Sequence, residues 1–282
     1  MRALVLRVFI ALSFLSLCAQ EGFARGLPER IDLNGAGWEY RWGDSPFEAG
    51  VPTWTREQEG ASSWRAIAFP SNPPQRNGQT NAWYRVPLPE PLTYDPTLYV
   101  FSIDLIAEFY LDGQKIYQYG IFDAAGKGKF VGWPWHMISL PSDAGGKWLY
   151  VRVYSDYPDI GLWGEAVIGS KASHILKMFG ADFFRISIGS VALFVGALFL
   201  VSFVLRFSNL ETFLLSSLFL TQGLDLILSA KSIQFFFQLP LLERYMMSFN
   251  YFFFPVGMAA FLERIAGAGP FGLIRRIWQL HL

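Results

Sequence analysis

Two carboxylates of the segment FSIDLIAEFYL, Asp104 and Glu108, lie on the same face if this segment is a β-strand. Paired carboxylates beside a bound sugar divide the acid and base roles of glycoside hydrolysis. Four residues of strand, however, place the two Cα atoms about 13 Å apart, which is long for either hydrolytic mechanism. The spacing therefore favours a solvated polar face over a catalytic pair.

The sequence matches the residue patterns of other kinds of catalytic site poorly. The three histidines, His136, His174 and His281, show none of the short spacings of metal-binding pairs. GIFDAAGKGK resembles a phosphate-binding loop, but five residues separate its first two glycines and Gly128 stands where Ser or Thr is required. No G-x-S-x-G sequence is present. We therefore predict no catalytic residue, no metal site and no cofactor in this chain.

Aromatic residues near predicted loops are better candidates for ligand binding. Indole faces stack on the C–H faces of sugar rings, and charged side chains hydrogen-bond the hydroxyl groups. Tryptophan is equally a common core residue of β-sandwiches, so core packing remains the alternative for each indole. The candidate ligand-binding residues are Trp83, Arg85, Trp133, Trp135, Asp156 and Trp163.

The stretch YSDYPDIGLWG combines acids, aromatics, Pro and Gly after a predicted strand. Asp156 and Asp159 are too few acids to define a Ca²⁺ site, which takes six to eight oxygen ligands. Pro158 and Gly161 favour turns, and Ile160, Leu162 and Trp163 favour packing. We expect a packed loop near the junction with the membrane region, with a role in signal transmission.

Composition and charge narrow the class of protein. The 282 residues carry 23 basic and 23 acidic side chains, which gives no reason to expect a nucleic-acid partner. The first 24 residues resemble a signal peptide, with Arg2 and Arg7 before an apolar stretch and a small-x-small site that ends at Ala24. Cys18 is the only cysteine, and Leu17 is too large for the usual lipoprotein alternative. Cleavage after Ala24 would leave a mature chain without disulfides.

Residues 25–180 are predicted to form an exported β-sandwich of about eight short strands. Alternate residues of FSIDLIAEFYL from Phe101 to Leu111 are apolar, which indicates a half-buried strand. Asp112-Gly113 then predicts a two-residue hairpin turn. The strands are separated by Pro, Gly and Asn, and no long amphipathic helix interrupts them, so a jelly roll is the expected fold class.

Residues 181–282 are predicted to form an α-helical multi-span membrane region, with helices over about 183–205, 210–230 and 245–262. Basic residues are modestly enriched on the side opposite the exported domain, which places the C-terminal tail in the cytoplasm. Polar residues are costly in lipid, so Gln222, Asp225 and Asn250 are expected to face a bundle interior. Two roles stay open for these polar residues: packing of the helices and relay of a conformational change.

Three segments carry a resemblance to known domains: LNGAGWEYRWGD, NAWYRVPLP and EFYLDGQKIYQYG. They resemble the non-catalytic, galactose-binding-like jelly-roll domain of β-galactosidase-type glycoside hydrolases. With the membrane region after it, the chain resembles the bacterial seven-transmembrane receptors with diverse intracellular signalling modules. That resemblance implies an extracytoplasmic sensor domain and an output module such as a diguanylate cyclase, histidine kinase or phosphatase. Only three spans and no output domain are visible here, so the chain resembles an N-terminal portion of such a receptor.

The expected function is therefore the sensory part of a receptor in the bacterial inner membrane, with its N-terminal domain in the periplasm. The expected partners are a small-molecule or carbohydrate ligand, membrane lipid and a second copy of the chain in a homodimer. The segment GSKASHILKMFGAD (169–182) is expected to carry movement of the sandwich into the first helix. The alternatives are a membrane-anchored carbohydrate-binding or envelope-assembly protein without signalling, and a membrane-bound glycosidase with a further catalytic domain.

Overall fold

The computed structural model describes residues 30–57, 63–206 and 209–280. The predicted signal peptide and its cleavage site lie outside the described residues. The described part of the chain divides into two compact units, one that ends at Leu176 and one that starts at Lys177. The first unit is rich in strands and the second is helical.

The strand-rich unit contains twelve strands among its described residues. They are β1 (Ile31–Asp32), β2 (Glu39–Trp42), β3 (Phe47–Glu48), β4 (Val51–Pro52), β5 (Arg65–Ala66), β6 (Asn81–Pro87), β7 (Pro96–Ile103), β8 (Ile106–Leu111), β9 (Gln114–Tyr119), β10 (His136–Ser139), β11 (Trp148–Tyr154) and β12 (Leu162–Ser170). A 3₁₀ turn, Thr53–Arg56, follows β4. The longer strands match the predicted ones, whereas the short β1, β3 and β4 had no pattern that indicated them.

Two antiparallel sheets make a sandwich around one core. The four-stranded sheet has the order β1-β12-β7-β10 and the six-stranded sheet the order β5-β2-β6-β11-β8-β9; β3 and β4 pair separately. Both sheets contribute alternate apolar side chains to the same buried cluster, because successive residues of a strand face opposite sides. The cluster includes Tyr84, Val86, Leu98, Val100, Phe109, Leu149, Val151 and Ile168.

The predicted single strand over FSIDLIAEFYL is wrong in one respect. The chain leaves the four-stranded sheet after Ile103 and enters the six-stranded sheet at Ile106, with Leu105 at φ +44° between them. Phe101, predicted to face the core, is 40% exposed. The alternation of apolar residues therefore runs through two successive strands, which belong to different sheets. The hairpin turn is confirmed, with Asp112 and Gly113 both at positive φ.

Within its described residues, the helical unit contains three helices that are long and apolar enough to cross a membrane and a fourth, shorter helix. The helices are α1 (Lys171–Arg206), α2 (Leu210–Leu228), α3 (Pro240–Ala266) and the shorter α4 (Leu273–Leu280). Helices α1 and α3 are longer than predicted, and α1 begins at Lys171, within the segment expected to carry movement of the sandwich into the first helix. Further 3₁₀ turns occupy Lys231–Phe235 and Pro270–Gly272.

Small residues let α1 and α2 approach closely. A Cβ atom on Gly223 would lie 2.8 Å from the carbonyl oxygen of Gly189, and one on Gly196 would lie 2.8 Å from Leu220 Cγ. Ser216 Oγ donates a hydrogen bond of 2.8 Å to the carbonyl oxygen of Gly196. Close backbone packing and interhelical hydrogen bonds are the main attractions between helices in lipid.

Candidate ligand-binding site

The outer face of the six-stranded sheet carries polar and aromatic side chains. Along β11, alternate residues from Leu149 onward enter the core, so Tyr150 and Arg152 lie on the opposite face. The antiparallel register places Arg152 between Trp83 of β6 and Glu108 of β8. A row of functional groups therefore crosses the middle of the sheet.

Arg152 joins two carboxylates at the centre of this row. Its Nε donates to Asp44 Oδ1 at 2.8 Å, its Nη2 donates to Asp44 Oδ2, and its Nη1 donates to Glu108 Oε2 at 2.9 Å. Glu108 also accepts hydrogen bonds from the Tyr110 hydroxyl at 2.8 Å and from Lys115 Nζ at 3.0 Å. The result is a connected network in which each charge has an opposite partner.

The network sets the protonation states of its members. Burial alone would raise the pKa of Glu108, but hydrogen bonds from Lys115, Tyr110 and Arg152 hold it below its ordinary value. Burial alone would lower the pKa of Arg152, but Asp44 and Glu108 hold it above its ordinary value. Burial and the Glu108 carboxylate raise the pKa of Tyr110. Glu108 therefore stays ionised and the Tyr110 phenol stays protonated near neutral pH.

An open cleft of about 330 Å³ lies over this network. Its floor is formed by Glu108, Tyr110, Lys115 and Arg152. Phe47 and Gly50 line it from the β3–β4 hairpin, and the loop after β9 lines it with Phe122, Asp123 and Ala124. The Phe47 side chain is 42% exposed, so an aromatic edge stands at the opening.

The loop after β9 is fitted closely to the network. Phe122 lies with its ring centre 4.0 Å from the Arg152 guanidinium. Asp123 Oδ1 accepts the backbone N–H groups of Ala125 and Lys127, which closes a tight turn. Gly126 has φ +70°, and a Cβ atom on it would lie 2.6 Å from Asp44 Oδ2. This is the GIFDAAGKGK segment, which connects β9 of the six-stranded sheet to β10 of the four-stranded sheet and therefore does not close a hairpin.

Trp83 and Arg85, both predicted ligand contacts, lie in the covered part of the outer face. Trp83 is 0% exposed, stacks on Tyr110 with ring centres 5.5 Å apart, and donates its Nε1–H to Asp44 at 3.0 Å. Arg85 is 3% exposed and donates to Glu39. The surrounding aromatic cluster consists of Trp54, Trp64, Tyr110, Tyr150 and Trp148. Both side chains have packing roles in this structure, and ligand contact by either one stays a prediction.

Trp133 and Trp135 lie at the other end of the same long loop. Trp133 is 39% exposed, and its ring centre is 4.8 Å from that of Phe130, which lies 5.8 Å from that of Tyr157. These three rings form an aromatic surface group. Trp135 is half-buried, with its ring centre 6.2 Å from that of Tyr99. Trp133 is therefore the predicted aromatic contact with the most accessible ring.

The YSDYPDIGLWG segment is a packed loop, as predicted. The guanidinium of Arg76 donates to the carbonyl oxygens of Ser155, Tyr157 and Pro158, and Asn72 Nδ2 donates to Asp159 Oδ1 at 2.6 Å. The Asp156 side chain is exposed beside these contacts. Within the described ranges, no three His, Cys, Asp or Glu residues are grouped as a metal site would require.

Asp104 and Glu108 do not form one solvated face, which corrects the expectation for this pair. Both residues are buried, because β8 is covered by the β3–β4 hairpin and the β9–β10 loop, and Asp104 lies in the bend between the sheets. The Trp163 indole donates to Asp104 Oδ2, so Trp163 is tied to this acid. Burial raises the pKa of Asp104 to about 6, against the effect of the Trp163 hydrogen bond and with a further contribution from Asp159.

The three polar residues predicted within the spans are brought together. Gln222 and Asp225 of α2 and Asn250 of α3 line one cavity of about 550 Å³ in the helical unit. Asn250 is 7% exposed. That these residues face the interior of a helix bundle stays a prediction.

The sequence alone did not indicate Asp44, Lys115 or Arg152 as site residues. Arg152 had one available signal, since it is a lone charge in the middle of the apolar strand segment KWLYVRVY. A charge at that position needs a partner on the outer face. Its partner Asp44 is 108 residues away along the chain, and no local pattern predicts a pairing over that separation.

No protein-family model matches the sequence, and a comparison with curated proteins gives no match. Solved structures with some similarity include a glycosyl hydrolase family 2 member from Bacteroides cellulosilyticus (12% identity, TM-score 0.35, 50% of this chain and 20% of that chain). Others are β-glucuronidase 2 from Bacteroides uniformis (15%, 0.34, 50% and 17%) and a β-galacturonidase from Eisenbergiella tayi (14%, 0.34, 50% and 24%). The chain spans about a fifth of the length of these proteins.

Proposed function

We propose that this chain is the sensory part of a bacterial membrane receptor whose sandwich binds a small polyhydroxylated ligand, such as a carbohydrate. The observation that carries the binding step is the open cleft of about 330 Å³ over the Arg152 network. The network is satisfied internally, so the floor is rigid and charged before any ligand arrives. Preorganised polar groups at the base of a concave site are typical of small-molecule binding.

The cleft favours hydroxyl groups over anions. Asp44 and Glu108 are balanced by Arg152 and Lys115, and Asp123 adds one negative charge to the lining, so an anion entering the cleft would find no net positive charge. Hydroxyl groups both donate and accept, which suits carboxylate oxygens beside an ammonium group. Lys115 uses two of its three N–H bonds on Glu108 and Gln118, which leaves one for a ligand. The exposed ring of Phe47 supplies an apolar face for the C–H side of a sugar.

Binding without catalysis is part of this proposal. A general acid for glycoside hydrolysis needs a raised pKa, whereas the pKa of Glu108 is lowered. Asp44 has both oxygens bound by Arg152. Neither carboxylate is suited to proton transfer while the network is intact.

We also propose that the sandwich is a jelly roll, that it lies in the periplasm and that the helices transmit a signal. A jelly roll is supported by antiparallel pairs between strands that are not consecutive, such as β12 with β7 and β11 with β6. An inner-membrane location with the sandwich in the periplasm is supported by three apolar helices and by Arg264, Arg275 and Arg276 toward the C-terminal end. The signalling step is supported by α1, which starts at the residue after the last strand and continues through the first candidate span.

The experiment is equilibrium binding of D-galactose, D-glucose and D-glucuronate to the full chain in nanodiscs. We expect saturable binding of at least one sugar, reduced about tenfold by Lys115→Ala and by Phe47→Ala, since one hydrogen bond or ring contact contributes about 1–1.5 kcal/mol. Lys147→Ala is the matched control, because Lys147 pairs with Asp112 and Asp143 away from the cleft. No binding by any of the sugars, or equal binding by all variants, would contradict the proposal.

A membrane-anchored binding protein without signalling would share the same cleft. Hydrogen exchange of the full chain separates the two functions. A receptor should show altered exchange in Lys171–Arg206 when sugar binds, because the ligand then favours one of two states of the whole protein. An anchor should show changes confined to the sandwich.

A further inference from the structure

The cavity between α2 and α3 has a polar wall and an apolar wall. Its polar residues are Gln222, Asp225, Arg244, Ser248 and Asn250. Its apolar and aromatic residues are Met247, Tyr251, Phe252, Phe254 and Pro255. The lining of this cavity, formed by two helices that are candidate membrane spans, thus contains an acidic side chain, a basic side chain and three aromatic rings. Such groups are costly inside a membrane and mark binding or transport sites when they converge.

The unpaired side-chain oxygen of Asn250 is a second reason to expect a ligand in this cavity. Its side chain is 7% exposed, and its Oδ1 atom has no hydrogen-bond partner among the described residues. A buried carbonyl oxygen without a donor is destabilising. Asn250 is one of the residues that line the cavity, so a ligand that presents an N–H group to its Oδ1 atom would satisfy it.

The positions along the helices define the order of the groups. Arg244 is the fifth residue of α3, near its N-terminal end, and Asp225 lies three residues before the C-terminal end of α2, so both charges lie close to the segment that connects the two helices. Asn250 lies ten residues after the start of α3 at Pro240, about 15 Å along the helix at 1.5 Å per residue. A cation and an anion therefore lie close to the connecting segment, and the unpaired acceptor lies further along α3.

We propose that this cavity binds a small organic zwitterion, a molecule that carries an ammonium group and an anionic group. Asp225 pairs with the ammonium group, and Asn250 Oδ1 accepts one of its N–H bonds. Arg244 binds the anionic group, and the aromatic wall contacts an apolar part of the ligand and faces the ammonium charge. Free amino acids and the phosphoethanolamine headgroup of a lipid both have this chemistry. The proposal does not depend on the ligand of the sandwich.

The test compares three ligands with the same phenyl group on the full chain in nanodiscs. Phenylalanine has both charges, phenethylamine has only the ammonium group, and 3-phenylpropanoate has only the carboxylate. For a free zwitterion we expect phenylalanine to bind at least tenfold more tightly than either single-charge analogue. For a lipid source we expect none of the three to bind, and a higher melting temperature in phosphatidylethanolamine than in phosphatidylglycerol nanodiscs.

Variants of Asp225 and Arg244 test which residue binds which charged group of the ligand. Asp225→Asn should weaken phenylalanine about tenfold or more, and Arg244→Gln should remove the preference for phenylalanine over phenethylamine, since a charge-assisted hydrogen bond contributes about 1.5–3 kcal/mol. In the lipid case, Asp225→Asn should remove the difference in melting temperature between the two lipids. Glu211→Gln is the matched control, because it makes the same change at the other end of α2, where Glu211 pairs with Arg264. Its behaviour should equal that of the wild-type chain.

Two results would overturn the proposal. One is equal binding of all three ligands together with equal stability in both lipids. The other is a ligand or lipid preference that survives both Asp225→Asn and Arg244→Gln. The comparison of ligands on the wild-type chain needs no variant, so it decides the question even if a substitution prevents folding.

Discussion

Arg152 and Asp44 form a two-point ion pair across 108 residues of chain. Asp44 Oδ1 also accepts hydrogen bonds from the Trp83 indole and from the backbone N–H of Ser45, both at 3.0 Å. One carboxylate thus connects the segment before β3 to β6 and β11 in the centre of the six-stranded sheet. The position of the β3–β4 hairpin, and with it one wall of the cleft, depends on this pair.

Replacing Arg152 tests that dependence. Arg152→Leu keeps the bulk of the side chain but leaves Asp44 and Glu108 without their shared cation. We expect a loss of about 3 kcal/mol in the free energy of unfolding, because breaking a buried pair leaves uncompensated charge. Chemical denaturation of the full chain in detergent, followed by tryptophan fluorescence, measures it. Lys147→Leu, which removes exposed ion pairs, should change stability little; an equal loss in both variants would contradict a special role of the network.

Gly126 should be required for the fit of the β9–β10 loop. Alanine at this position meets Asp44 Oδ2 at 2.6 Å and Arg152 Nη2 at 3.1 Å, at a φ of +70°. Gly78 has a similar φ of +77° with no atom within 4 Å of the added Cβ, so Gly78→Ala isolates the backbone strain, about 1 kcal/mol. We expect Gly126→Ala to be the more destabilising variant and to weaken sugar binding. Equal melting temperatures for the two variants would show that the loop moves freely.

Local sequence patterns predicted those parts of the structure that local geometry determines. The alternation of KWLYVRVY and the Asp112-Gly113 turn predicted β11 and the β8–β9 hairpin, and the apolar runs predicted three span-length helices. The switch between sheets at Leu105 was missed, because two strands in succession continue the same alternation. The cleft was missed for a related reason: Asp44 and Arg152 are far apart in the chain.

The tryptophans show that residue type alone does not distinguish a buried side chain from an exposed one. Trp83 is 0% exposed and Trp133 is 39% exposed, although both stand in similar aromatic segments. Trp83→Ala should lower the free energy of unfolding by about 3–5 kcal/mol, the usual range for a buried indole. Trp133→Ala should be much less destabilising, because its ring is partly exposed. Denaturation of both variants checks this, and a larger stability loss in Trp133→Ala would contradict the assignment.

The proposed transmembrane topology predicts opposite labelling of two exposed positions. Tyr94 in the sandwich and Phe271 after α3 are each 94% exposed. In a Cys18→Ala background, a membrane-impermeant maleimide added to intact spheroplasts should label Tyr94→Cys and not Phe271→Cys. Permeabilised cells should label both. Labelling of both positions before permeabilisation would contradict an odd number of spans between them.

Asp104 should make stability depend on mildly acidic pH. Burial raises its pKa from an ordinary 3.8 to about 6, so between these values the folded chain keeps a proton that the unfolded chain releases. The stabilisation from the protonated acid is complete below about pH 4 and is lost as the pH rises through about 6. Solvent still reaches the group, so the loss is about 1–2 kcal/mol. Asp104→Asn still accepts the Trp163 hydrogen bond but does not titrate. The stability of the wild-type chain minus that of the variant should therefore fall between pH 4 and pH 7, measured by denaturation, and a rise over this range would show that the acid is stabilised as the carboxylate.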